Sequence, residues 1–362
     1  MPNKSVQPTS EKEILRILQA RFAVGNATVK KGIGDDAAVV HPRNAREYLL
    51  ITTDMLAENI DFQCTWTTPR QLGHKSIAVN LSDLAAMGAR ARFFTVSLGL
   101  PPGISKRWIT EFYRGLTSQG DVHGAMLIGG DLSSSERGIF ISITALGEST
   151  GRKVIYRSGG MEGDILYVTG VLGRAAAGLR LLQKGCIHPH GYAKQEAVRS
   201  HRQPEPRCDA GMWLAQCGMV HCMMDLSDGL SIDLPRLCAA SGTSAEIDAT
   251  RLPVFEAASA WDFDPVDLAL HGGEDFELIF AVSGSRASIF EKSYPEKLPR
   301  LTRIGTMIRG KGDVWIRHEG GIRRRLEKGG YDHFRRNASR PPLSCKDLRG
   351  KSSKLGCYQN PD

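Results

Sequence analysis

No stretch of this 362-residue sequence approaches the ~20 consecutive apolar residues that span a bilayer. The opening MPNKSVQPTSEKEILRIL also lacks the uncharged run of an export signal, so no membrane association is expected and the cytoplasm is the expected compartment. Eight cysteines are present without a single CxxC pair, which argues against a zinc ribbon or a disulfide framework and for buried reduced thiols. Cys186, His188 and His190 form the one His/Cys cluster, and its spacing reads as a loop coincidence. No GxxxxGK[ST] loop occurs; the nearest approach, Gly350-Lys351-Ser352, has Cys345 where the first glycine belongs. The segment GIGDDA at 32–37 fits GxGxxA on paper, but two carboxylates would face the pyrophosphate such a loop must cradle, and no Rossmann strand precedes it.

Basic charge is also scarcer than the total suggests. Of the formal net +8, residues 335–362 carry +5, seven Lys/Arg against two Asp, leaving +3 for the rest. That tail is rich in Pro, Ser and Gly, has little to bury and reads as a disordered extension, so no nucleic-acid partner is expected.

What the sequence has is aspartate, each copy set at an apolar strand end, on a polar helix face or in a glycine turn: Asp35 and Asp36 in GIGDDAAVV, Asp54 in LLITTDM, Asp83 in AVNLSDLAAMGA, Asp131 in LIGGD, and Asp225 and Asp228 in MMDLSDGL. Carboxylates gathered in one place repel one another unless cations lie between them, and all-oxygen sites suit Mg²⁺. The pattern points to a polyphosphate site and to phosphoryl transfer.

Hydrophobic periodicity switches repeatedly between 2 and 3.6, which predicts an α/β chain. A first helix at 11–22 is followed by a strand at 48–53 ending at Asp54, a helix at 69–88, a strand at 93–100, a helix at 105–119, a strand at 125–128 ending in GGD, and a strand at 138–147. The connector 151–163 is rich in Gly and charge, after which the pattern restarts with a strand at 164–169, helices at 172–183 and 207–216, a strand at 220–224, a helix at 228–240, strands at 244–248 and 276–282, and a last sheet around 301–317. Three units are expected: an N-terminal domain over 1–150, a C-terminal α/β domain over 151–334, and the tail at 335–362.

Around Asp83 the stripe Ile77, Leu81, Leu84 is apolar while Ser76, Asn80 and Asp83 share a neighbouring face, a setting that holds a carboxylate toward a metal; a solvated Asp is the plainer alternative. Thr52 and Thr53 supply hydroxyls beside Asp54. In GGD, Gly130 permits close backbone approach and Asp131 offers a ligand, against a simple hairpin turn. Asp225 ends an apolar strand and Asp228 opens a helix, where an N-cap accounts for Asp228 alone. Glu274 in HGGEDFELIF is placed to meet a cationic or hydrogen-bonding part of a substrate, or else marks a turn.

Taken in order, GIGDDAAVV, TTDM, KSIAVNLSDLAAMGA, GGD, YRSGG, DLSDGL, GGEDFEL and GGYDHF resemble the thiamine-monophosphate kinase family over residues 11–334. The resemblance implies the two-domain α/β fold of aminoimidazole ribonucleotide synthetase-like proteins, dimerised through N-terminal sheets, with ATP and several Mg²⁺ ions in the cleft. Asp36, Thr52, Thr53, Asp54, Asp83, Asp131, Asp225 and Asp228 would hold Mg²⁺, with Asp54, Asp225 and Asp228 closest to the chemistry. Tyr113, Gly130, Asp131, Arg157 and Ser227 would contact ATP, while Asp61, Glu274 and Tyr331 would contact thiamine monophosphate. Asp61 departs from the family, which commonly carries His there, and implies weaker substrate binding. Another ATP-using synthetase of the same superfamily and a non-catalytic nucleotide-binding regulator are the competing readings.

Overall fold

The computed structural model describes residues 11–22, 26–151, 153–327 and 329–330. Tyr331 and the basic tail lie outside the described residues.

The first sheet has six strands in the order β1-β2-β3-β6-β4-β5. They are β1 (Val29–Lys31), β2 (Ala38–Val40), β3 (Leu49–Ala57), β4 (Arg90–Leu100), β5 (Met126–Ser134) and β6 (Phe140–Glu148). Helices α2 (Pro69–Ala86) and α3 (Lys106–Val122) cover one face, and α1 (Glu11–Phe22) precedes the sheet. The second sheet has seven strands ordered β13-β12-β9-β11-β7-β10-β8. Its members are β7 (Ile165–Thr169), β8 (Val220–Asp225), β9 (Thr243–Asp248), β10 (Leu278–Val282), β11 (Leu301–Arg309), β12 (Val314–Arg317) and β13 (Arg323–Arg325). Around it run α4 (Arg174–Gln183), α5 (Tyr192–Arg202), α6 (Cys208–Cys217), α7 (Leu230–Ser241), α8 (Pro265–His271) and α9 (Ala287–Ser293).

Helix α2 is the axis of the molecule. Thr68 and Gln71 close a capping box at its start, with Pro69 at the first position where a missing N–H costs nothing. It packs on α3, β3 and β6 in its own domain and on α6 and β8 of the second. Its crossing with α3 is close enough that a Cβ on Gly73 would lie 2.0 Å from the Phe112 carbonyl and one on Gly115 1.9 Å from that of Arg70. Leu50, Ile77, Leu81, Leu84, Phe94 and Ile143 join Tyr167, Met223, Leu278 and Phe280 in one apolar cluster. Apolar burial across the two sheets therefore fixes their relative placement.

Several boundaries differ from the sequence expectation. Strand β3 continues past Asp54 to Ala57, because it pairs antiparallel with β6 from Leu49↔Glu148 through Ala57↔Phe140. The GGD segment is no turn: β5 runs through it in parallel with β4, Gly130 opposite Val96. Glycine is required there, since a Cβ would lie 2.0 Å from the Val96 carbonyl oxygen. Asp228 does not cap α7; Gly229 does, at φ 100°. Strands β11 and β12 belong to the seven-stranded sheet rather than to a separate one, and α5 was not anticipated from its mixed polar sequence. Among the described residues no disulfide forms.

Candidate active site

Where the two domains meet, three buried or half-buried aspartates converge. Asp36 comes from the bend before β2, Asp83 from the last turn of α2, and Asp225 from the end of β8; one carboxylate oxygen of each lies within 4.8 Å of the others. Ser82 Oγ donates to Asp225 Oδ2 at 2.6 Å, a contact between domains. Thr52 Oγ1 donates to Asp83, Arg157 pairs with Asp36, and the Asp54 amide donates to Asn80 Oδ1 at 3.1 Å. Asn80 and Ser76 are fully buried on the face of α2 that leads to Asp83, so the helix offers this face to the site rather than to solvent.

The electrostatics show how much negative charge is packed here. Burial, then the charges of Asp61, Asp228 and Asp36, push Asp54 up to about 6. Burial and Asp36 push Asp225 up to about 7. Asp83 rises well above the ordinary range through burial, Asp54 and Asp225, and Asp36 rises through burial although Arg157 opposes the shift. Oδ2 of Asp36 is buried with no hydrogen-bond partner. An unsatisfied carboxylate oxygen amid hard oxygen donors fits a divalent cation such as Mg²⁺.

Not every expected ligand reaches this cluster. Alternation along β3 turns Thr53 to the opposite face from Thr52, where its hydroxyl donates to the Ile143 carbonyl at 3.0 Å. Asp131 lies on exposed β5, outside the cluster, and lines an open cleft of about 590 Å³ with Tyr113, Gly130 and Leu132. Asp228 pairs with Arg236, and its amide donates to Asp233 Oδ2 at 2.9 Å. Asp35 faces away from the cluster, toward Lys31 at 3.1 Å, and accepts from the Arg157 amide at 3.1 Å.

A second locus surrounds Glu274. The GGED loop is tied to the DLSDG turn, Glu274 N to Ser227 O at 2.8 Å and Phe276 N to Leu226 O at 2.9 Å. This holds Glu274 at φ 68° and Phe276 at φ 50°, left-handed conformations that cost an L-residue about 1 kcal/mol or more. Strain of that kind persists only where surrounding contacts over-determine it, and it orients the Glu274 carboxylate. Oε1 of Glu274 lies 2.5 Å from Lys75 Nζ and Oε2 lies 2.7 Å from His201 Nδ1. Asp61 bends back on its own turn, its Oδ2 accepting from the Ala57 amide at 2.8 Å.

Comparisons with known proteins identify the family of this chain. The AIR synthase related protein, N-terminal domain, matches residues 34–149 and its C-terminal domain matches residues 161–317. The thiamine-monophosphate kinase of Bacillus subtilis is 31% identical over 86% of this chain and 96% of that protein. That of Haemophilus influenzae is 35% identical over 89% of this chain and 97% of that protein. This chain belongs to the thiamine-monophosphate kinases of the AIR synthase related family. It is accordingly a phosphate-transferring enzyme. The solved structure of AaThiL complexed with AMPPCP and TMP superposes with a TM-score of 0.78 at 28% identity, covering 92% of this chain and 99% of that one.

For this thiamine-monophosphate kinase family member, sequence reasoning missed Lys75, Ser82, His201, Asp233 and Arg236. Each acts by touching a residue remote in sequence or by bracing a carboxylate, as Ser82 does for Asp225. One signal was legible: Asp233 and Arg236 stand at i, i+3 inside LSIDLPRL, the spacing of a helical ion pair.

Proposed function

We propose that this enzyme transfers the terminal phosphoryl group of ATP to thiamine monophosphate, releasing ADP and thiamine diphosphate. The observation that carries this reading is the convergence of Asp36, Asp83 and Asp225 across the domain interface. An AMPPCP- and TMP-bound relative of the same fold supports it.

Asp36, Asp54, Asp83 and Asp225, with Thr52 beside them and Asp228 at the rim, would hold Mg²⁺. The bound ions would neutralise the polyphosphate and the incoming phosphate monoester, which repel each other as anions. An oxygen of the thiamine phosphate bonds to the terminal phosphorus while the bond to the bridging oxygen breaks, its electron pair leaving with ADP. The attacking oxygen is already anionic, so no strong base is needed and positioning dominates. Tyr113, Gly130 and Asp131 line the cleft assigned to the nucleotide. Arg157, now on Asp36, and Ser227 are assigned to its phosphates, while Asp61 and Glu274 are assigned to the thiamine side.

A coupled assay with ATP, Mg²⁺ and thiamine monophosphate checks the reading directly. ADP and thiamine diphosphate are expected in equal amounts; AMP, or ADP release indifferent to thiamine monophosphate, would overturn it.

We also propose a homodimer built on the first sheet. Its outer face exposes Met55 at 64%, Met126 at 57% and Phe140 at 42%, and β5 is an edge strand accessible along its length. Light scattering is expected to give twice the 39.6 kDa chain mass; a monomer at micromolar concentration would exclude this assembly.

A further inference from the structure

Lys75 lies within α2, the helix that also carries Asp83, and its side chain is only 2% exposed and paired with Glu274. A lysine is buried this deeply only when a partner repays the loss of hydration. Its partners are both on the substrate side: Glu274 Oε1 at 2.5 Å and the Asp61 carbonyl at 3.3 Å. His201 from α5 approaches the other Glu274 oxygen at 2.7 Å. Three elements thus face this carboxylate: α2 with Lys75, α5 with His201, and the DLSDG turn, whose Ser227 carbonyl receives the Glu274 amide at 2.8 Å. Arg202, next to His201, is turned to the Ile187 carbonyl at 3.0 Å and so does not join them.

Charge in this group is unevenly divided. Burial, then Lys75, lowers His201 below the ordinary imidazole range, against the opposing pull of Glu274. Burial alone would raise Glu274, but Lys75 and His201 overcome it and hold the carboxyl down at about 2. Lys75 is therefore the counter-charge. The Lys75–Glu274 pair carries no net charge toward an incoming ligand, while the Glu274 side chain is still 28% exposed.

We propose that Lys75 is a positioning residue for thiamine recognition: it cancels the charge of Glu274 and fixes its carboxylate as a hydrogen-bond acceptor for the amino-substituted pyrimidine ring, rather than as an anion for the cationic thiazolium. This rests on the reading of thiamine monophosphate as substrate. A carboxylate whose charge is already matched offers little Coulomb gain to a second cation, but it discriminates strongly by hydrogen bonding, because a ligand without the donor leaves a desolvated acceptor unpaired. It also explains why a substrate-facing residue needs a lysine from the other domain: the two domains must be correctly docked before the acceptor is in place.

The test is steady-state kinetics of Lys75→Met between pH 6 and 8. KM for thiamine monophosphate should rise about tenfold or more while KM for ATP stays within about twofold, the pattern of a lost contact to one substrate. Without Lys75 the Glu274 carboxyl titrates upward, so KM for thiamine monophosphate should fall more steeply with rising pH in this variant than in the wild type, where the substrate phosphate and the cluster aspartates set the common trend. The double variant Lys75→Met with Glu274→Gln carries neither charge, which keeps the test available where the single change impairs folding; its raised KM should follow the wild-type pH trend. Wild-type enzyme should also reject oxythiamine monophosphate, in which an oxo group replaces the amino group, by about tenfold or more in KM. A folded Lys75→Met enzyme with unchanged KM or with the wild-type pH trend, a rise shared equally with ATP, a double variant whose pH trend departs from the wild type's, or equal use of the oxo analogue would each overturn the proposal. Failure of the wild type to use thiamine monophosphate at all would instead remove the functional reading beneath it.

Discussion

Asp54→Asn and Asp225→Asn are each expected to lower turnover by roughly 10²- to 10³-fold, the range seen when one preorganised electrostatic contact is deleted from an active site. Asp225 stands in the cluster that spans both domains, and Asp54 is close enough that its charge raises Asp83. An amide keeps the shape and one oxygen but not the charge, so the loss falls on neutralising the transferring phosphoryl group rather than on folding. Rapid-quench or steady-state measurement of thiamine diphosphate formation, with Mg²⁺ varied, checks this. Near-normal turnover with unchanged Mg²⁺ dependence in both variants would remove these aspartates from the metal set.

The same substitutions should act oppositely on stability when metal is withheld. Asp54 and Asp225 hold their protons to about 6 and about 7 in the folded chain, against 3.8 in the unfolded one. A group whose folded pKa is raised stabilises the fold fully below the unfolded value and loses that contribution as pH climbs through the folded value. The metal-free protein should therefore lose stability from these two groups between about pH 4 and 7, on the order of 3 kcal/mol from Asp54 and 4 kcal/mol from Asp225 at ~1.36 kcal/mol per unit. The asparagine variants cannot ionise, so their melting temperatures in chelator should exceed that of the wild type by several degrees at pH 8 and converge with it only near pH 4. Saturating Mg²⁺ should reverse the order at pH 8, because it repays the carboxylate repulsion only where the carboxylates exist. A difference in melting temperature that does not change from pH 5 to pH 8 would show that these groups do not titrate in that window.

Much of the architecture was legible because it is local. Short apolar runs marked β3, β7 and β8, and the 3.6-residue stripe Ile77, Leu81, Leu84 marked α2, since those patterns depend only on what a single element buries. The acidic residues were legible too: a carboxylate at the end of an apolar strand, as at Asp225, has no reason to be there unless something compensates it. Asn80 could be placed beside the site by helical spacing, and the structure shows its oxygen on the Asp54 amide at 3.1 Å.

The rest is set by contacts that periodicity cannot register. Strand β3 overran its expected end because β6, more than eighty residues later, supplies pairing partners as far as Ala57. Thr52 and Thr53 look equivalent in sequence, yet the pleat sends one to Asp83 and the other to the outer face. Ser82 meets Asp225 across 143 positions, and Lys75 meets Glu274 only because α2 is shared between two sheets. Sequence alone determined which carboxylates stand at strand ends, on helix faces and in glycine turns, because residue type and local burial are written in the chain. Which of them converge, and which lysine meets which glutamate, was decided by the docking of two domains over one apolar core, where small shifts in a close-packed interior move a carboxylate into or out of contact.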